Sequence, residues 1–152
     1  MKKVVAIKEY CVACGLCEVY CATVHSRYPD SVLKAFKLSP QKPVSRVFLE
    51  KSEQWSGGIQ CRHCKDAPCI AACITGAMYR NRDGIVLLDE ERCVQCSTCV
   101  IACPYGLIKE SDMGGRKVLL KCDLCYQLAE SPTCVTYCPN EALIWVEEGE
   151  TL

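Results

Sequence analysis

The chain has 152 residues, 18 lysines and arginines against 18 aspartates and glutamates, and 16 cysteines. Its balanced charge and the lack of any basic tract argue against nucleic acid, and no G-x-G-x-x-G or phosphate loop offers a nucleotide site. With two Phe, two Trp and seven Tyr, a conventional core would be thin, so something besides side-chain packing is expected to fill the interior.

The opening stretch, "MKKVVAIKEYC", places only four apolar residues before Lys8 and Glu9. That is too short for the apolar region of an export signal. No twin-arginine pair precedes it, and no later run approaches the ~18 apolar residues of a membrane span. The expected setting is the cytoplasm, where thiols stay reduced and clustered cysteines bind metal rather than pair as disulfides.

The first cysteine group follows at once: Cys11, Cys14, Cys17 and Cys21 in "CVACGLCEVYC". Residues 25–60 hold no cysteine and carry prolines at 29, 40 and 43. They read as a surface connector with one strand at "SRVFLEK". The second group is Cys61, Cys64, Cys69 and Cys73, and the third is Cys93, Cys96, Cys99 and Cys103 in "CVQCSTCVIACP". The fourth is Cys122, Cys125, Cys134 and Cys138. Every group ends with a three-residue gap before its last cysteine. After that cysteine, "CITGAMY", "CPYGLIK" and "CPNEALIW" each turn into a short apolar run, the mark of a strand. Hairpins are expected around Asn81–Gly84 and Asp112–Gly115, with "ALIWVEE" as a last strand. Such self-similarity points to duplication of a small unit made of a cysteine loop, a helical turn and a strand.

Three cysteines at two-residue gaps let one loop wrap three corners of a 4Fe–4S cube. A fourth, one helical turn on, ligates a neighbouring cube in two-cluster ferredoxins. Pro104 and Pro139 then end the turn, because proline donates no backbone hydrogen bond. Zinc is the competing use, through two C-x-x-C pairs per ion. The third short gap followed by x3-C-P fits iron–sulfur much better.

Group three matches the bacterial ferredoxin motif, and the set of four resembles the four-cluster iron–sulfur subunits of dimethyl sulfoxide reductase and formate dehydrogenase. It is similar also to the soluble polyferredoxins of carbon monoxide dehydrogenase and hydrogenase. The resemblance implies an α+β fold of two pseudo-symmetric bacterial-ferredoxin-like modules, each with two 4Fe–4S clusters, short helices and β-hairpins. Groups two and three would form an inner module at 56–105. Groups one and four would form a flanking module at 1–55 and 106–152, with the connector at 25–60. It also implies four ligand sets: Cys11, Cys14, Cys17 with Cys138; Cys61, Cys64, Cys69 with Cys103; Cys93, Cys96, Cys99 with Cys73; and Cys122, Cys125, Cys134 with Cys21. Groups one and two depart from the pattern, with Ala22 and Ile74 where proline stands elsewhere.

Four oxidised cubes with their thiolates would bring the neutral chain to about −8. Gly15, Ala13, Ser97 and Thr98 would let backbone approach the sulfurs. Val12, Leu16, Val94, Val100, Ile101, Ile70, Leu124 and Val135 would exclude water, unless they are plain core. His63 inside "CRHC" could donate to a cluster sulfur or be an ordinary loop residue, and His25 reads as structural. Trp55 and Trp145 read as packing residues. Arg62, Arg80, Arg82, Arg92 and Lys121 would offset cluster charge, form a docking rim or simply be solvated. Four closed sites leave no iron open to substrate, so no catalytic residue is expected. The expected role is an electron wire between a catalytic oxidoreductase subunit and another acceptor, such as a flavin NAD(P) reductase. The resemblance offers carbon monoxide dehydrogenase, hydrogenase, formate dehydrogenase and tungsten or molybdenum oxidoreductases as partners in anaerobic metabolism. The competing readings are a free polyferredoxin serving several enzymes, and a redox sensor or zinc-stabilised interaction module.

Overall fold

Short apolar runs bounded by turn residues dictate short hairpins. A computed structural model describing residues 2–126, 128 and 130–147 shows them paired as four two-stranded antiparallel sheets. In chain order the elements are β1 (Lys2–Ala6), a 3-10 turn at Lys8–Tyr10, α1 (Leu16–Val24), α2 (Val32–Leu38), β2 (Phe48–Lys51) and β3 (Ser56–Ile59). There follow α3 (Pro68–Ala71), β4 (Met78–Arg80), β5 (Val86–Leu88), α4 (Thr98–Ala102), β6 (Lys109–Asp112) and β7 (Lys117–Leu120). The chain closes with α5 (Thr133–Thr136) and β8 (Leu143–Glu147). No helix among the described residues is long and apolar enough to cross a membrane.

Both expected hairpins form. In the β4–β5 turn the Asn81 side-chain oxygen accepts the N–H groups of Asp83 and Ile85 at 3.0 and 2.8 Å, and Gly84 takes φ +84°. In the β6–β7 turn Asp112 accepts the Gly115 N–H at 2.8 Å. A Lys117–Glu110 ion pair at 2.9 Å braces the strands. The last strand, β8, pairs with β1 in the register Val4↔Trp145 and Ala6↔Leu143.

Two compact units emerge. One is Cys61–Asp123; the other is Lys2–Gln60 with the described residues from Leu124 onward. The core of the first is Met78, Val86, Ile108 and Leu119 around Cys69 and Cys99. Because Ile108 and Leu119 belong to that core, the inner unit reaches Asp123 rather than stopping at residue 105. The core of the second is Val47 and Leu143 around Cys17, Cys21 and Cys134.

The connector is more structured than its prolines imply. Ser31 caps α2 by accepting the Lys34 N–H at 3.3 Å, and Ala35 is fully buried. The expected strand is β2, and it pairs with β3. A Cβ added at Gly58 would lie 3.1 Å from Leu143 and 3.3 Å from Val47. Gly58→Val is therefore expected to overpack this core and cost about 1–3 kcal/mol, read as unfolding at lower urea by circular dichroism.

Candidate iron–sulfur centres

Each cysteine group opens on a C-x-x-C pair, and in all four the residue before the second cysteine is left-handed. These are Ala13 (φ +54°), His63 (+47°), Gln95 (+57°) and Leu124 (+57°). None is glycine, and such a conformation costs roughly 1–2 kcal/mol per residue. Gly15 (+79°) and Ser97 (+62°) repeat it in groups one and three. Alternating right- and left-handed residues aim successive N–H groups into one concavity, a nest for an anion. Accordingly the His63 N–H donates to Cys61 Sγ and the Gln95 N–H to Cys93 Sγ, each at 3.4 Å.

The far end of each group has its own donor. Three residues after the last cysteine, Gly76, Gly106 and Glu141 are again left-handed, at +63°, +60° and +53°. The chain then turns back, so that Met78, Leu107 and Ala142 donate N–H to Cys73, Cys103 and Cys138 at 3.4, 3.4 and 3.2 Å. Group one lacks this turn, because α1 runs on past Cys21 to Val24. Its donor comes from the connector: the Arg46 N–H reaches Cys21 Sγ at 3.2 Å.

A hollow of about 380 Å³ is lined by Cys11, Cys14, Cys17 and Cys138, with Pro139 and Leu143. A second, of about 350 Å³, is lined by Cys61, Cys64, Cys69 and Cys103, with His63 and Leu107. In the third set the charge of Cys73 bears on Cys96 and Cys99, and in the fourth that of Cys21 and Cys125 bears on Cys134. Burial pushes Cys17 and Cys99 up to about 11 and Cys134 further still. Bare thiolates there would be costly, and a bound cation removes that cost.

Several shielding residues expected from the sequence are not shields. Val12, Val94 and Ile101 are 62%, 61% and 86% exposed. Val12 and Val94 each follow the first cysteine of their group, and their side chains face solvent. Ile101 lies two residues past Cys99 on α4, on the opposite face. Val100, Ile70 and Val135 do pack against the cores, and Leu124 is buried. Cys14 and Cys96 are the exposed cysteines.

The basic residues divide. Arg82 is exposed, while Arg62 stacks over Tyr105 at 4.1 Å and Arg92 donates to the Thr75 carbonyl at 2.9 Å. Arg80 staples the second cysteine loop, donating to the carbonyls of His63, Cys64, Lys65 and Gly84. Lys121 is buried and donates to the carbonyls of Val86 and Cys122 at 2.5 and 2.8 Å. The ring of His25 donates to the Cys21 carbonyl at 2.7 Å, as a structural residue would. Burial pushes the Cys21 thiol up, yet hydrogen bonds from His25, Arg46 and Ser45 together hold it below its ordinary value. Trp55 packs under Lys8, whose ammonium lies 6.0 Å from the ring.

His63 is only 1% exposed. Burial first, then the Lys121 charge, push it down to about 3, against a weaker opposing pull from Asp123. The ring is neutral, and its Nδ1 accepts the Val86 N–H at 3.1 Å, which puts the ring proton on Nε2.

Repeated cysteine nests built around anion-sized hollows define an iron–sulfur protein with a ferredoxin-like α+β fold. Residues 57–148 match the family model of the 4Fe-4S dicluster domain, and the chain belongs to that family. It is 34% identical to the electron transport protein HydN of Escherichia coli, over 97% of this chain and 89% of that protein. It is also 34% identical to an iron-sulfur protein of Rhodospirillum rubrum, over 91% of this chain and 78% of that one. Neither of these two relatives is named as a catalyst.

Proposed function

We propose that the chain is the wire of a larger oxidoreductase, relaying single electrons through four 4Fe–4S clusters between a catalytic redox subunit and a second acceptor. The observation carrying this reading is the fourfold repeat of one cysteine nest, with sixteen thiols for four sites and none left over. Each cluster supplies a one-electron couple. The ligand sets we propose are Cys11, Cys14, Cys17, Cys138; Cys61, Cys64, Cys69, Cys103; Cys93, Cys96, Cys99, Cys73; and Cys122, Cys125, Cys134, Cys21. The two hollows, each lined by three cysteines of one group and the last of another, support the first two. The charge of Cys73 on Cys96 and Cys99, and those of Cys21 and Cys125 on Cys134, support the others. Two ferredoxin-like modules of two clusters each follow from this pairing.

The protein's part is to hold charge and shape constant while the electron count changes. Backbone N–H groups stabilise the thiolates, and the apolar cores limit water. Exposed Cys14 and Cys96 bring the first and third sites nearest to solvent and to any partner. By resemblance the catalytic partner is a carbon monoxide dehydrogenase, hydrogenase, formate dehydrogenase or tungsten or molybdenum oxidoreductase, in the cytoplasm, with a flavin NAD(P) reductase as an electron exit.

Strictly anaerobic purification of the tagged chain from its native host is expected to co-elute one large redox enzyme near equimolar ratio. It should return about sixteen iron and sixteen sulfide per chain. Elution alone with full iron would make it a free polyferredoxin. Zinc in place of iron and sulfide would overturn the reading.

A further inference from the structure

Two features of the inner unit are costly as they stand. The Nε2 of buried His63 has no hydrogen-bond partner among the described residues, and Lys121 carries an ammonium at 5% exposure with its described hydrogen bonds going to carbonyls. A buried donor without an acceptor, and a buried cation, both call for a nearby anion. They meet on one peptide: Val86 gives its N–H to His63 Nδ1 and its carbonyl to Lys121 Nζ. His63 lines the hollow of Cys61, Cys64, Cys69 and Cys103.

Resting on the reading that a 4Fe–4S cluster fills that hollow, we propose that His63 donates its Nε2–H to a sulfur of this cluster while Lys121 sets a positive charge behind it, so that this cluster takes the first electron given to the chain. Reduction adds one electron and no proton, taking the cluster with its thiolates from a net charge of about −2 to about −3. A hydrogen bond and a nearby cation both favour the more negative state and raise the potential. His63 and Lys121 are thus positioning residues that rank one site above its neighbours.

The test uses the whole chain, purified without oxygen, with histidine labelled by 15N in the ring. After addition of one electron per chain from dithionite, pulsed EPR is expected to show a ring-15N coupling to the reduced cluster. His63→Asn keeps a short acceptor for the Val86 N–H and tolerates the left-handed backbone, but lacks a donor at the Nε2 position; it should abolish the coupling. Lys121→Met, at full iron content, should lower the reduced-to-oxidised ratio of the first cluster about tenfold at the wild-type midpoint, which is about 59 mV for one electron. Wild type short of four clusters' worth of iron and sulfide overturns the underlying reading, and this inference with it. Full content without ring coupling, coupling that survives in His63→Asn, or an unmoved midpoint in Lys121→Met overturns this inference alone.

Discussion

On the proposed four-cluster reading, Cys138→Ala is expected to remove or degrade one cluster and spare three, dropping iron from about sixteen to about twelve per chain if that cluster is lost. The affected cluster should be the one wrapped by the first group, over a hundred residues away in sequence. Cys138 shares a hollow with Cys11, Cys14 and Cys17, and its sulfur accepts the Ala142 N–H at 3.2 Å. Alanine leaves one iron without a thiolate and one N–H without its acceptor. The spectrum of Cys138→Ala should therefore match that of Cys11→Ala. A match to Cys134→Ala instead would mean that each group closes on its own cluster.

Arg80→Met should destabilise the inner unit by about 2–4 kcal/mol, since a charged hydrogen bond contributes roughly 1.5–3 kcal/mol and the loop carbonyls are only partly able to turn to water. One guanidinium holds the carbonyls of His63 and Gly84, at 3.4 and 2.6 Å, and those of Cys64 and Lys65. Methionine keeps the stem's packing and removes every donor. Lysine should recover little, because a point charge cannot span the fork of acceptors. The check is the rate at which the second group's cluster bleaches in air, expected to rise at least tenfold while the first group's rate holds. Equal rates for both would show that Arg80 serves the unit generally and not its cysteine loop.

Much of this architecture was legible because it repeats. Three strands after three last cysteines, and both asparagine- or aspartate-led hairpins, could be read from short local runs. What escaped was non-local or unrepeated. "KKVVA" has too few residues to declare a strand, and its partner lies at the other end of the chain. The helix at Val32–Leu38 sits between prolines that disguise it. Ala13, Gln95 and Leu124 gave no sign of a left-handed backbone, since none is a residue type that favours it. The available signal was positional, the slot before the second cysteine in all four groups. The sequence left Lys121 grouped with four arginines as a charge offset, a docking rim or a solvated surface, and its buried carbonyl partners distinguish it from exposed Arg82.

The pairing of β1 with β8 also sets an order of events during synthesis. A chain leaving the ribosome has every residue of Cys61–Asp123 available while Leu143–Glu147 is still to come. The inner unit can therefore close first, whereas Lys2–Ala6 must wait for the last strand. Until then Cys138 is not in place to complete the hollow it lines with Cys11, Cys14 and Cys17, and on the proposed ligand set the thiols of the first group stay open to whatever delivers or damages iron. The outermost part of the sequence is the last to become protein.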